Sequence, residues 1–180
     1  DELKKIDETL EEAEKNLQNK DYEKATSAFI AILGESLPKE FMVRAISGLG
    51  KCYLGQNKFN ELNELIEQLE DHIKEENEIQ DLIKSKNYIE NIDVKEVSGL
   101  EVKLENNPND FNIRYELARG QIVNKDFSKA IENLLFIIEK NKEWSQSKAK
   151  KELLDIFSLL GDSNPLTLEG RAKLSNLIFK

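Results

Sequence analysis

Cysteine and histidine, which commonly carry nucleophilic or zinc chemistry, are scarce in this 180-residue chain. Cys52 is the single cysteine and His72 the single histidine, which excludes an internal disulfide and a Cys-x-x-Cys redox pair. One thiol and one imidazole are too few ligands for a typical zinc site. No Ser-His-Asp set, phosphate-binding glycine loop or HExxH motif is present. We therefore predict a non-enzymatic protein with no catalytic residue, cofactor or metal, in which Cys52 is a small buried helix residue.

The composition favours a helical protein with a charged surface. Charged residues make up 34% of the chain, and 8 glycines and 3 prolines leave little room for long irregular loops. The net charge of −9 disfavours a nucleic-acid partner, because an acidic chain repels phosphates. The acidic stretch 61–96 is interpreted as a solvated helix face. Since the chain contains no signal peptide and no segment suited to a bilayer, we expect a cytoplasmic protein with no membrane partner.

Residues 118–138 combine two amphipathic helices with a tight turn. Apolar residues are spaced three and four apart on each side of the turn Asn124-Lys125-Asp126, as expected for helices that bury one face. Asp126 is expected to cap the second helix by accepting N–H groups of its first turn. Similar turns occur at Asp21 and Lys58, which predicts three helical hairpins.

The spacing of these turns indicates a known repeat. Positions 21 and 58 are 37 residues apart, and positions 58 and 126 are 68 apart, or twice 34. A period near 34 is typical of tetratricopeptide repeats, so a degenerate unit is expected in the gap. Small residues occupy the expected helix crossings: Ala13, Gly50 and Ala118 on first helices, and Ala25 and Ala130 on second helices. Leu62 replaces the small residue of the second hairpin, which is therefore expected to be splayed or shifted.

The predicted fold class is all-α, a right-handed superhelical array of tetratricopeptide-like helical hairpins with a C-terminal extra helix pair. We expect one domain over 1–180, with hairpins at about 2–34, 38–71, 73–106 (degenerate) and 110–141 and a terminal pair at 147–179. Within the irregular part, we expect helices from Phe59 to about Asp71, from His72 to Asn91 and from Val94 to Glu105.

The first helix of each hairpin would line a concave face where an extended peptide can bind. By the phase of the repeat, the residues expected on this face are Arg44, Ser47, Lys51, Leu54, Tyr115, Arg119, Ile122 and Val123. Basic head groups among apolar side chains suit a peptide ligand. The alternative is that many of these residues pack against the neighbouring repeat. Trp144, between two helices, is interpreted as a packing residue rather than an interaction hot spot.

The C-terminal half resembles a known family. The similarity lies in two runs, NNPNDFNIRYELARGQIVNKDFSKAIENLLFIIEKNKEW and AKKELLDIFSLLGDSNPLTLEGRAKLSNLIF. They are similar to the C-terminal region of the bacterial chaperedoxins, which are thioredoxin-tetratricopeptide proteins. The resemblance is specific over about 96–179, and over 1–95 it rests on the layout of the repeats. It implies a thioredoxin-like domain upstream, which is not part of this chain.

The resemblance implies a co-chaperone that holds unfolding client proteins and docks on a GroEL-type chaperonin through its last helix. Matched by position, this helix spans 166–179, and its docking candidates are Arg171, Leu174, Leu177, Ile178 and Phe179. The helix is alternatively a cap on the end of the array. Two other functions stay open: a generic scaffold that binds one peptide motif, and the partner-selecting module of a thioredoxin-like redox protein.

Overall fold

A computed structural model describes residues 2–93 and 96–179, and every regular element in these two ranges is a helix. The all-α fold class predicted from the sequence is therefore confirmed for the described residues. The helices are α1 (Glu2–Gln18), α2 (Tyr22–Leu33), α3 (Lys39–Gly55), α4 (Phe59–Glu67), α5 (Asp71–Lys74), α6 (Asn77–Glu90), α7 (Val97–Asn106), α8 (Phe111–Val123), α9 (Phe127–Lys140), α10 (Lys148–Leu160) and α11 (Pro165–Ile178).

The helices form two compact units, Asp1–Glu90 and Asn91–Lys180. In the N-terminal unit, α1 and α2 form a hairpin, and α3 packs on both of its helices. Their shared core includes Leu10, Ala13, Ala25 and Phe29, all without solvent exposure. Cys52 also lies in this core, as predicted, and burial raises the pKa of its thiol.

The segment after α4 differs from the sequence prediction. The helix expected over 72–91 is broken at residues 75–76, between α5 and α6. Ile73 and Ile79 explain the break, because six residues of continuous helix would place them about 120° apart around the helix axis. The break lets both side chains enter one apolar cluster with Val43 and Ile46 of α3. Tertiary packing thus overrides the local preference for a single helix.

The degenerate hairpin expected over 73–106 is divided between the two units. Its first helix, α6, packs on α3 in the N-terminal unit, whereas α7 packs on α8 in the C-terminal unit. The α7 helix begins at Val97, and its expected start at Val94 lies outside the described residues.

The C-terminal unit is built around the hairpin of α8 and α9. The α10 helix packs on α9, and α11 packs on both α9 and α10. Leu134, Ile137, Leu153 and Ile156 have no exposed surface and form part of the core. Pro165 is the first residue of α11, and Asn164 caps this helix through its side-chain oxygen, which accepts from the Leu166 N–H at 2.9 Å.

The three hairpin turns predicted from the sequence share one geometry. Lys20, Asn57 and Lys125 each adopt a left-handed backbone conformation, with φ of 60°, 56° and 61°. In each turn the N–H of the next residue bonds to a carbonyl five positions back, as in Asp126 to Gln121 at 2.8 Å. This pattern closes a helix and reverses the chain.

The caps of these turns differ. Asp21 caps α2 by accepting from the Lys24 N–H at 3.4 Å. Asp126 was expected to cap α9, but its side chain makes no cap hydrogen bond and instead pairs with Lys129 Nζ at 3.0 Å. Asp21 makes the equivalent ion pair with Lys24 Nζ at 2.8 Å and still caps its helix, so the ion pair alone does not account for the missing cap.

Lys20→Gly is expected to stabilise the protein. A side chain in a left-handed conformation costs roughly 1–2 kcal/mol, and glycine removes this cost while adding about 0.5–1 kcal/mol of chain entropy. We expect a net gain of about 0.5–1 kcal/mol in the free energy of unfolding, measured by urea denaturation. Asn57→Gly is the matched control and should gain less, because asparagine tolerates this conformation better than lysine. A loss of stability in Lys20→Gly would contradict the turn geometry.

Candidate functional site

Arg44, a candidate for the concave face, is held by two carboxylates of α1. Its Nε and Nη2 donate to the Glu14 carboxylate at 3.1 Å each, and its Nη1 donates to Asp7 Oδ1 at 2.6 Å. The hydrogen bonds to Glu14 are the main reason that the pKa of Arg44 is raised. Such a two-pronged bond to one carboxylate is geometrically specific. Arg44 therefore joins α3 to α1, and its charge is already compensated within the unit.

Two further candidates of the N-terminal unit are core residues. Ser47 is 1% exposed and Leu54 is 8% exposed, so neither side chain offers a surface to a ligand. They are buried because α3 has neighbours on several sides: α1 and α2 pack on it, and so does α6. Of the four candidates on α3, only Lys51 is exposed. For Ser47 and Leu54, the structure therefore favours the alternative of packing within the fold.

In the C-terminal unit, the candidates on α8 divide into buried and half-buried side chains. Ile122 is completely buried, Tyr115 is 3% exposed, and Arg119 and Val123 are half-buried. The Tyr115 hydroxyl donates to the carboxylate of Glu152 on α10. Burial, followed by this carboxylate, raises the pKa of Tyr115. The bond fixes the tyrosine ring between α8 and α10, with Arg119 one turn further along α8.

Trp144, in the loop between α9 and α10, also contacts the ring of Tyr115. Its ring lies 5.5 Å from the Tyr115 ring and 6.3 Å from the Phe111 ring, the latter in an edge-on arrangement. Lys148 Nζ stands 4.3 Å from the centre of the Tyr115 ring, and the Arg119 guanidinium carbon stands 5.9 Å from it. We call the set Phe111, Tyr115, Arg119, Trp144, Lys148 and Glu152 the Trp144 face.

Sequence reasoning identified only part of the Trp144 face. It placed Tyr115 and Arg119 on a binding face but treated Trp144 as packing, and it did not select Lys148 or Glu152. A usable signal was present: Lys148 and Glu152 are four residues apart, as are Tyr115 and Arg119, so each pair shares one side of a helix. The sequence did not show which sides of α8 and α10 meet.

The docking candidates on the last helix differ in exposure. Leu174 is 6% exposed and belongs to the core, Leu177 and Ile178 are half-buried, and Phe179 is 85% exposed. Arg171 is exposed, and its Nη2 pairs with Asp162 Oδ1 at 2.7 Å. The end of α11 thus presents a graded apolar surface that is most exposed at the aromatic residue.

The buried face of α11 does not include all of its apolar residues. Leu168 is 58% exposed, and Ala172 is also exposed. The residues that pack inward are Thr167, Gly170 and Leu174. Gly170 explains why this side of α11 packs inward, because an added Cβ on it would come within 2.6 Å of the Phe157 ring. The helix approaches the core most closely along its small residue.

The described residues contain neither a cluster of metal ligands nor a helix suited to a bilayer. No group of three or more His, Cys, Asp or Glu side chains in the part of the chain that the structure describes is arranged to hold a metal ion. Among the helices of the described ranges, none combines the length and the apolar character needed to cross a membrane.

Comparison with known proteins agrees with the repeat pattern. The tetratricopeptide repeat family profile matches residues 90–179, and the chain belongs to this family. Such repeats make it a scaffold for protein–protein interaction. A domain of protein VP0806 (unknown function) from Vibrio parahaemolyticus RIMD 2210633 is similar at 23% identity, with a TM-score of 0.43, covering 94% of this chain and 98% of that one. No curated protein matches the chain.

Proposed function

We propose that this chain is the protein-binding module of a co-chaperone that holds unfolding client proteins and docks on a GroEL-type chaperonin through the end of α11. The observation that carries the proposal is the 85% exposure of Phe179. Aromatic side chains dominate interface energies when a partner buries them. The resemblance of residues 96–179 to the chaperedoxins supports the chaperonin as the partner.

The surface around Phe179 supports a docking role. Leu168 leaves 58% of its surface uncovered on the same helix, and Leu177 and Ile178 are half-buried beside Phe179. Leu177 also borders a groove of about 400 Å³ whose apolar walls include Leu135 and Phe136 of α9. Apolar surface that is exposed along one helix end suits burial against a partner. Because Leu174 and Gly170 hold the helix to the unit, α11 acts as a cap and presents this surface at the same time.

Binding of the full 180-residue chain to a GroEL-type chaperonin tests this proposal. We expect Phe179→Ala to weaken binding at least tenfold, which is about 1.4 kcal/mol, because the exposed aromatic ring becomes buried in the complex. Val102→Ala is the control, since Val102 on α7 is an apolar residue that is 58% exposed and lies away from α11 in the sequence. Unchanged affinity in Phe179→Ala, or no binding by the wild type, would refute docking through α11.

A second candidate function is a scaffold that recognises one peptide motif through the Trp144 face. It is favoured by the convergence of Tyr115, Arg119, Trp144 and Lys148 from two helices and a loop. Client breadth separates the two candidates. A holdase should suppress the heat aggregation of several unrelated proteins, whereas a motif-specific scaffold should protect none of them.

A further inference from the structure

The cations of the Trp144 face take part in none of the ion pairs seen among residues 3–93 and 96–179. The ion pairs of this part of the chain join other residues and include neither Arg119 nor Lys148. Both cations instead stand near the Tyr115 ring, and Arg119 Nε is shielded from solvent without a hydrogen-bond acceptor. Arg44 on α3 contrasts with this arrangement, because Glu14 and Asp7 compensate its charge.

The sequence around the face adds further positive charge. Residues 140–151 contain five lysines and one glutamate, whereas the whole chain has a net charge of −9. Lys148 lies in this segment, and Trp144 lies at its centre. The segment is a local exception to the acidic character of the protein, and its positive charge lies beside the half-buried rings of Trp144 and Phe111.

An unusual backbone conformation positions Trp144 and Lys148. Ser145, Gln146 and Ser147 have φ values of 47°, 59° and 60°, three left-handed residues in succession without a glycine. Each such residue costs roughly 1–2 kcal/mol relative to an ordinary conformation. The Glu143 carboxylate accepts from the Ser147 hydroxyl at 3.2 Å across this turn. Because of this turn, Trp144 before it and Lys148 after it both lie beside the ring of Tyr115.

We propose that the Trp144 face binds an acidic segment of a partner protein, in which a carboxylate side chain is adjacent to a large apolar one. The carboxylate pairs with Arg119 and Lys148, and the apolar side chain packs on Trp144 and Phe111. Arginine binds carboxylates in a fixed two-pronged geometry, and half-buried aromatic rings supply the apolar contact area. This inference rests on the second candidate function and names the chemistry of its ligand.

A peptide is favoured over a nucleic acid by the other charges of the face. Glu152 lies in the face beneath Tyr115, Glu116 flanks Arg119 on α8, and Asp155 follows on α10. A polyanion would place phosphates near these carboxylates at an electrostatic cost. A single carboxylate, in contrast, brings one negative charge to the two cations near the Tyr115 ring.

The test uses the intrinsic fluorescence of Trp144, the single tryptophan of the chain. Tryptophan-free 12-residue peptides are titrated into the full chain in three matched sets, in which leucine and phenylalanine alternate with acidic, amide or basic residues. We expect acidic peptides to change the emission of Trp144 and to bind at least tenfold more tightly than their amide counterparts. The difference should shrink at high salt, which screens ion pairs.

Charge-removing variants locate the binding. Arg119→Gln combined with Lys148→Gln should remove the preference for acidic peptides, and Lys142→Gln, which neutralises an exposed lysine of the same segment, should retain it. A loss of the preference in Lys142→Gln, or competition by an oligonucleotide of equal charge, would overturn the proposal in favour of general attraction of anions. Equal binding of acidic and amide peptides would overturn the acidic ligand but leave the scaffold function standing. Failure of all three peptide sets to affect Trp144 would overturn both.

Discussion

Gly48→Ala is expected to destabilise the N-terminal unit by about 2 kcal/mol, because the cost of overpacking exceeds the roughly 1 kcal/mol that alanine gains over glycine in a helix. A Cβ atom on Gly48 would lie 2.3 Å from Phe29 Cζ and 2.5 Å and 2.7 Å from the two Cε atoms of the same ring. Phe29 has no exposed surface and is enclosed by the core between α2 and α3. The ring has little room to move in a close-packed interior, so the added methyl group forces a shift at the upper end of the usual cost of overpacking.

Urea denaturation monitored by circular dichroism measures this loss. Gly99→Ala is the control, because Gly99 lies in α7 with no atom within 4 Å of its added Cβ. This change should raise stability by up to about 1 kcal/mol through helix propensity alone. If Gly48→Ala alters the free energy of unfolding by less than about 0.5 kcal/mol, the contact between α3 and Phe29 is not as close as the structure describes.

The small residues at the helix crossings were predictable because the repeat imposes them. Ala13, Ala25, Ala118 and Ala130 are all completely buried, as the tetratricopeptide phase predicts. Leu62 departs from this phase but still packs close to the small residue Gly50 of α3. An added Cβ on Gly50 would lie 2.3 Å from Leu82 Cδ2 on α6 and 3.3 Å from Leu62 Cδ1 on α4, so this glycine makes room for leucines of two helices.

Features that depend on tertiary packing were not predictable in the same way. The break between α5 and α6 arises because Ile73 and Ile79 share one cluster, and local sequence gives no sign of that cluster. The inward face of α11 follows its close-fitting Gly170, although Leu168 is the more apolar residue. Hydrophobic periodicity identifies helices well, but it cannot show where two backbones approach most closely.

The candidate site was predicted to a smaller extent than the fold. The phase of the repeat selects Arg44 and Tyr115 alike, yet Arg44 is neutralised by α1 whereas Tyr115 joins a cluster of aromatic rings and cations. This difference depends on which side chains neighbouring helices contribute. It also depends on the left-handed turn at Ser145–Ser147, because serine and glutamine have no strong preference for that conformation.

Gly170→Ala is expected to loosen α11 and destabilise the C-terminal unit by roughly 1–3 kcal/mol. The added Cβ would lie 2.6 Å from Phe157 Cε1 and 2.7 Å from its Cζ, with Ile131 Cγ2 at 3.5 Å behind. Phe157 is 1% exposed, so its ring cannot turn outward without opening the core. Urea denaturation of the full chain measures the loss.

Phe157→Leu provides the partner for a double-mutant cycle. Leucine removes the ring atoms that the new methyl group would meet, so the double variant should be more stable than the sum of the two single effects predicts, by about 1 kcal/mol or more. Additive effects would mean that Gly170 and Phe157 are not in close contact.

The same pair of variants separates support of α11 from docking. If Gly170→Ala weakens chaperonin binding only by loosening the helix, Phe157→Leu should restore the binding in the double variant, whereas it should not restore binding lost in Phe179→Ala, which removes the contact itself.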